Sequence, residues 1–259
     1  MKILGIESAA LTASVALVTD GILTAEYTVN HKKTHSQTLL PMLDEICRMA
    51  ELDRGSVDAI AVSAGPGSFT GLRIGAATAK GLGMALGVPL IAVPTTAALA
   101  YGLWGTDALL CPVMDARRNQ VYNGLYHCRE TLETVVQARA LAVPELLSEL
   151  NDRGERVIFA GDGVPVLREA AAQLLTVPCS FAPSHLNRQR AAAVAALGEQ
   201  LYLSGEQIAA DAFVPNYLRL SQAERERAEA LRCSEEQVLA AGVVPERYRA
   251  DKKAVGERL

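Results

Sequence analysis

The sequence predicts an α/β protein built as two lobes of related topology. Three observations carry this. The order strand, strand, strand, helix, strand, helix runs through the first half and recurs in the second, and a glycine-containing loop follows the fourth strand of each half. Half of the 259 residues are hydrophobic, enough for a substantial core.

Residues 2–7 (KILGIE), 12–19 (TASVALVT) and 22–29 (ILTAEYTV) read as strands, the last two joined by Asp20-Gly21, a hairpin turn pair. From Ser36 to Glu51, the residues Leu39, Leu43, Ile46 and Ala50 recur at helical spacing beside Leu40 and Cys47, which predicts a helix with one wide apolar face. Residues 57–63 (VDAIAVS) read as a buried strand, followed by the loop SAGPGSFTGLRIG, a helix to about Gly87 and a short strand at PLIAV. In the second half, LLCPVMDA, NQVYNGLYHC and TLETVVQAR are candidate strands, PELLSELND a helix, RVIFAG a strand and VPVLREAAAQLL a helix. The alignment of the halves pairs Glu7 with Asp115, and Ala64-Gly65-Pro66-Gly67 with Gly161-Asp162-Gly163. An Ala-rich helix near 189–204 and an extended VPNYLR close the fold, and a charged, nearly balanced tail follows Leu220. This divides the chain into an N-terminal lobe (1–104), a C-terminal lobe (105–190), a helix and strand returning to the first lobe (191–220) and the tail (221–259).

No apolar stretch reaches the roughly 20 residues that span a bilayer. Met1 leads directly into KILGIES without a basic head or a cleavage site, which predicts a cytoplasmic protein with no membrane contact. Cys47, Cys111, Cys128, Cys179 and Cys233 are scattered without C-x-x-C spacing, as suits a reducing compartment. The formal net charge is −4 and Lys and Arg form no stripe, so any contact with RNA is expected to come through a more basic partner.

Gly65, Gly67 and Gly71, with the hydroxyls Ser68 and Thr70, could converge backbone N–H groups on a phosphate at a helix N-terminus. The G-K-[ST] ending of the nucleoside-triphosphate loop is absent, and a tight strand-to-helix turn is the alternative reading. Glu7 and Asp115, at the ends of matched first strands, are either metal–phosphate ligands or caps of the turns that follow. With Gly65, Gly67, Ser68, Gly161 and Gly163 they make up the candidate nucleotide contacts of a two-lobed clamp. After the loop, Gly71, Gly75, Ala79, Gly83 and Gly87 recur every fourth residue. Glycine costs roughly 1 kcal/mol against alanine in a helix, so the stripe implies close approach, either by the chain's own sheet or by another chain. His31 and His35 have the spacing of a helical metal pair but read as solvated loop residues, and His127 and His185 as structural ones. Without G-x-S-x-G, H-E-x-x-H or a Cys-His arrangement, no metal site and no hydrolase is predicted.

The segments ILGIES, HSQTLLPMLDEI, SAGPGSFTGLRIG, GVPLIAVPTTAALA, MDARRNQVY and VPNYLR, in this order over about residues 1–220, resemble the TsaB (YeaZ) family of bacterial threonylcarbamoyladenosine biosynthesis proteins. The resemblance implies an actin-like, Hsp70-like (ASKHA, ribonuclease H-like) fold. It also implies a non-catalytic paralogue of TsaD, which transfers the threonylcarbamoyl group to the adenosine beside the anticodon of tRNAs reading codons that begin with A. TsaD carries an H-x-x-x-H metal pair whose positions fall here on Thr95 and Leu99, neither of which replaces an imidazole. The implied partners are TsaD, through helices of the first lobe, and the ATPase TsaE, with homodimers forming in isolation and tRNA met only through the complex. Leu39, Leu43, Ile46, Gly71, Gly75, Ala79 and Gly83 are then expected near the interface. No cofactor is expected beyond weak ATP or ADP binding. The rival readings are an actin-fold ATPase or kinase using Glu7, Asp115 and the glycine loops, an M22-type peptidase, and a binding module unrelated to tRNA.

Overall fold

The computed structural model describes residues 1–31 and 33–219; the predicted charged tail lies outside them. Two five-stranded sheets repeat one topology. In the first, β1 (Lys2–Glu7), β2 (Ala13–Thr19) and β3 (Ile22–Val29) form an antiparallel meander, and β4 (Ala59–Gly65) and β5 (Leu90–Pro94) add in parallel on the other side of β1, giving the order β3-β2-β1-β4-β5. Both residues of the Asp20-Gly21 turn have positive φ (49° and 76°), the twist that closes a two-residue hairpin. In the second sheet, β6 (Thr106–Asp115), β7 (Gln120–Cys128) and β8 (Leu132–Ala142) form the meander, and β9 (Val157–Ala160) and β10 (Cys179–Phe181) add in parallel, giving β10-β9-β6-β7-β8. This duplicated sheet is the α/β architecture of two lobes of related topology that the sequence predicted.

The central strands are buried on both faces, which is why β1 and β4 read as almost unbroken apolar runs. Helices α1 (His35–Met49) and α2 (Phe69–Leu86) cover one face of the first sheet, with Leu39, Met42, Leu43 and Ile46 set against Leu4, Ile6, Val15 and Leu17. Helix α6 (Ala191–Leu203) covers the other face, lying across β1, β2, β4 and β5. It sits close because both surfaces are small there: a Cβ on Gly198 would fall 2.4 Å from Ala61 Cβ, and one on Gly5 2.6 Å from the Ala191 carbonyl oxygen. The second sheet is covered by α4 (Val143–Arg153) and α5 (Val164–Leu174) on one face. On its other face lies α3 (Thr95–Tyr101), where Thr96 Oγ1 and the Tyr126 hydroxyl are 2.8 Å apart.

Each lobe therefore lends a helix to the other's sheet. Helix α3 follows the first sheet and packs on the second, α6 does the reverse, and Ala97, Ala98 and Ala100 of α3 share one core with α6 and with both sheets. Beyond α6, Ile208 bridges antiparallel to Leu90 on the β5 edge and Phe213 is buried, so residues 208–217 run as a strap over the first lobe. Lys80 Nζ ties the strap down at the carbonyls of Asp211 (2.7 Å) and Phe213 (3.2 Å).

Candidate functional site

The ends of β1, β4, β6 and β9 meet in the cleft between the sheets, and each candidate residue occupies an equivalent place in its half. At the end of β1, Glu7 Oε1 accepts the Ala9 N–H (2.6 Å); at the end of β6, Asp115 Oδ1 accepts the Arg117 N–H (2.7 Å). Both acids thus cap the hairpin turn two residues on, the bland alternative that the sequence left open. Their surroundings differ. Asp115 is partly exposed and also pairs with the Arg117 guanidinium at 3.2 Å. Glu7 has no exposure, and its Oε2 has no hydrogen-bond partner among the described residues. Burial pushes the Glu7 carboxyl up to about 7 against the stabilising Ala9 N–H, and the Asp162 carboxylate adds to the rise. Asp162 is itself shifted upward by burial, opposed by the Gln189 amide that donates to its Oδ1 at 2.7 Å.

The β1–β2 turn is held by the elements packed around it. Ser8 N–H donates to Ser63 Oγ (3.3 Å) and Ser8 Oγ to the Gly71 carbonyl (2.9 Å). The Ala9 carbonyl accepts the Ser68 N–H (2.6 Å), and the Ala10 carbonyl lies 2.8 Å from His35 Nε2. His35 is therefore a buried clamp on this turn, correcting its reading as a solvated loop residue; its burial follows from its place at the first position of α1, directly over the turn.

The AGPG loop is packed rather than open. Gly65 holds φ 113° and Gly161 holds φ 111°, the same left-handed bend in both halves. A Cβ at Gly65 would meet the Asn216 carbonyl oxygen at 2.3 Å, one at Gly67 the Ala9 carbonyl oxygen at 2.3 Å, and one at Gly161 the Val113 carbonyl oxygen at 2.1 Å. The strap closes on this loop, with Asn216 N–H donating to the Ala64 carbonyl at 2.6 Å. Ser68 N-caps α2 by accepting the Gly71 N–H (3.3 Å), and Gly163 N–H donates to the Val113 carbonyl (3.0 Å). The N–H groups of Ser68, Gly161 and Gly163 are thus engaged with backbone carbonyls, and that of Gly71 with the Ser68 hydroxyl.

Between the two hairpin turns, the cleft holds an apolar cluster of Ala9, Ala10, Leu72, Leu99 and Met114, with Tyr122 packed against it. Leu72 Cδ1 lies 3.4 Å from the Cβ position of Gly65, and Leu99 Cδ1 lies 3.4 Å from that of Gly161. Each left-handed glycine is covered by a leucine. Sequence reasoning missed this plug; its one visible signal was Leu99 standing where the related family has histidine. Thr95 is buried and its hydroxyl has no partner among the described residues. No group of three or more His, Cys, Asp or Glu that could hold a metal is present among the described residues.

The seven expected interface residues require a correction. Leu39, Leu43 and Ile46 are core residues, and Gly71, Gly75, Ala79 and Gly83 are buried within the chain's own fold. A Cβ on Gly71 would meet the Ser8 carbonyl oxygen at 2.1 Å, one on Gly75 Ser8 Oγ at 2.2 Å, and one on Gly83 the strap at Ala210 Cβ, 2.9 Å away. The stripe serves internal packing, because α2 must lie close over the β1–β2 turn. The same two helices present a different surface outward. Leu40 (55% exposed) on α1 and Met84 (66%), Ala77, Gly81 and Ala85 on α2 are all exposed, and a Cβ at Gly81 would meet nothing within 4 Å.

Among the described residues, no helix is long and apolar enough to cross a membrane. Residues 23–227 match the family model of TsaD, tRNA N6-adenosine threonylcarbamoyltransferase. The chain is 33% identical over 227 residues to the tRNA threonylcarbamoyladenosine biosynthesis protein TsaB of Bacillus subtilis (strain 168), covering 86% of this chain and 96% of that protein. It is 35% identical over 160 residues to TsaB of Escherichia coli (strain K12), covering 58% and 65%. The solved structure of YeaZ from Pseudomonas aeruginosa superposes with a TM-score of 0.72 at 26% identity, covering 84% of this chain and 99% of that one.

Proposed function

This chain belongs to the TsaB family of tRNA threonylcarbamoyladenosine biosynthesis proteins, and on that premise we propose that it is the non-catalytic, activating partner of TsaD in an assembly joined by TsaE. The observation that carries the reading is the plugged cleft. Where a nucleotide-using member of this fold needs free N–H donors and room between the lobes, this chain has turns capped by Glu7 and Asp115 and the apolar cluster around Leu72 and Leu99. A closed cleft still supplies a rigid platform, and catalysis then belongs to TsaD.

The docking surface in this reading is the outward face of α1 and α2, with Leu40, Ala77, Gly81, Met84 and Ala85 letting two helix pairs approach closely. In isolation the same apolar face drives homodimer formation. ATP or ADP binds the isolated chain weakly at most, tRNA reaches the assembly chiefly through the partners, and the protein works in the cytoplasm. The ATPase, kinase and M22-type peptidase readings would need a reacting group in the cleft, and Glu7, its most buried acid, is engaged at Ala9.

Reconstitution tests the proposal. The purified chain is assayed alone for ATP turnover, then mixed with TsaD, TsaE, threonylcarbamoyl-adenylate and tRNA. The expected result is no turnover alone and a strict requirement for the chain in the mixture. Turnover by the isolated chain at ordinary enzymatic rates, or modification that proceeds without it, would overturn the reading.

A further inference from the structure

The two hairpin turns that face the cleft have diverged. The β1–β2 turn, Ser8–Thr12, is mostly buried and contains no left-handed residue. The β6–β7 turn, in the equivalent place, passes through three consecutive left-handed residues that are not glycine: Arg117 (φ 65°), Arg118 (φ 54°) and Asn119 (φ 54°). Left-handed backbone is unfavourable for L-residues and usually occurs one residue at a time. The first hairpin makes its connection with five residues, 8–12, and the second with four, 116–119. A strained turn that carries exposed charged side chains points to a site.

The turn is also rigid. Asp115 Oδ1 accepts the Arg117 N–H at 2.7 Å, Ala116 N–H donates to the Gln120 carbonyl at 3.0 Å, and Val143 N–H donates to the Asn119 carbonyl at 3.3 Å. On this frame stand two guanidinium groups in solvent. Arg117 is 86% exposed and paired with Asp115; Arg118 is exposed and has no carboxylate partner among the described residues. A net charge of −4 denies the chain a diffuse basic footprint, so a contact with a polyanion must come from guanidinium groups fixed in place.

Resting on the tRNA-modification reading, we propose that the β6–β7 turn contacts the phosphodiester backbone of the tRNA, with Arg118 as the phosphate ligand and Arg117, oriented by Asp115, beside it. This goes beyond contact through partners alone: the chain itself supplies a preorganised phosphate contact.

The assembled complex is titrated with its tRNA over a salt series. Arg118→Ala weakens binding on the order of tenfold and lowers the slope of log affinity against log salt by about one. Arg118→Lys retains the slope. Arg118→Gly, which suits the left-handed position, raises the melting temperature of the chain while losing tRNA affinity as Arg118→Ala does. Assembly with the protein partners, followed by size-exclusion chromatography, is unchanged in all three. Unchanged tRNA affinity and salt slope in an Arg118→Ala complex that assembles and modifies tRNA would overturn the proposal alone. A loss confined to assembly would overturn it too, by placing the turn at a protein contact. Modification that does not depend on the wild-type chain at all would overturn the functional reading, and this proposal with it.

Discussion

Glu7 is a fully buried carboxyl with one oxygen held by Ala9, the other without a hydrogen-bond partner among the described residues, and the Asp162 carboxylate of the second lobe acting on it. Its folded value of about 7 stands above the ordinary 4.5, so the folded state holds a proton that the unfolded state releases between those values. The contribution of Glu7 to stability is therefore most favourable below pH 4.5, declines as pH rises to 7 and levels off above it. Glu7→Gln keeps the acceptor for Ala9 and removes the charge. Denaturant unfolding should find the variant equal to wild type near pH 4.5 and more stable at pH 8, by an amount on the order of 3 kcal/mol. A difference that does not grow with pH would refute the assignment. At Leu72 and Leu99, each nearly fully buried in the cluster, truncation to Ala should cost about 2–5 kcal/mol.

Helix α2 has two faces made of small residues, and they do opposite things. Gly75→Val forces a side chain against Ser8 on the inward face and should destabilise the monomer by about 1–3 kcal/mol or more. Gly81 is exposed on the outward face and a Cβ there meets nothing within 4 Å, so Gly81→Trp should leave the monomer folded and abolish dimers and the TsaD contact in size-exclusion chromatography. Dimers that persist in Gly81→Trp would exclude this face. The contrast explains what could be read at this scale. A four-residue period of glycine and alanine reports that something comes close; it does not report what, and here the Ser8 turn and the strap come close. Likewise α3 was not expected, because seven residues after Pro94 are too few to show a helical period, and β10 spans only Cys179–Phe181. The long elements were legible for the opposite reason: β1, α1 and β4 carry enough residues for their burial to set a pattern.

At the scale of the molecule, the duplication could be read from element order, and the equivalence of Glu7 with Asp115 and of Gly65 with Gly161 followed from it. The plug could not. Its members come from the β1–β2 turn, α2, α3 and β6, and four separate segments leave no local pattern. The return of α6 to the first sheet was expected, but the packing of α3 on the second was hidden in the same way, since it is a property of contacts and not of sequence order. The account holds that a nucleotide-clamp architecture has been closed from within and kept as a rigid partner. Calorimetric titration of ATP with magnesium into the isolated chain tests this most directly. The expected outcome is a dissociation constant weaker than about 1 mM, with no heat of hydrolysis. Saturable binding in the low-micromolar range, or sustained turnover, would contradict it.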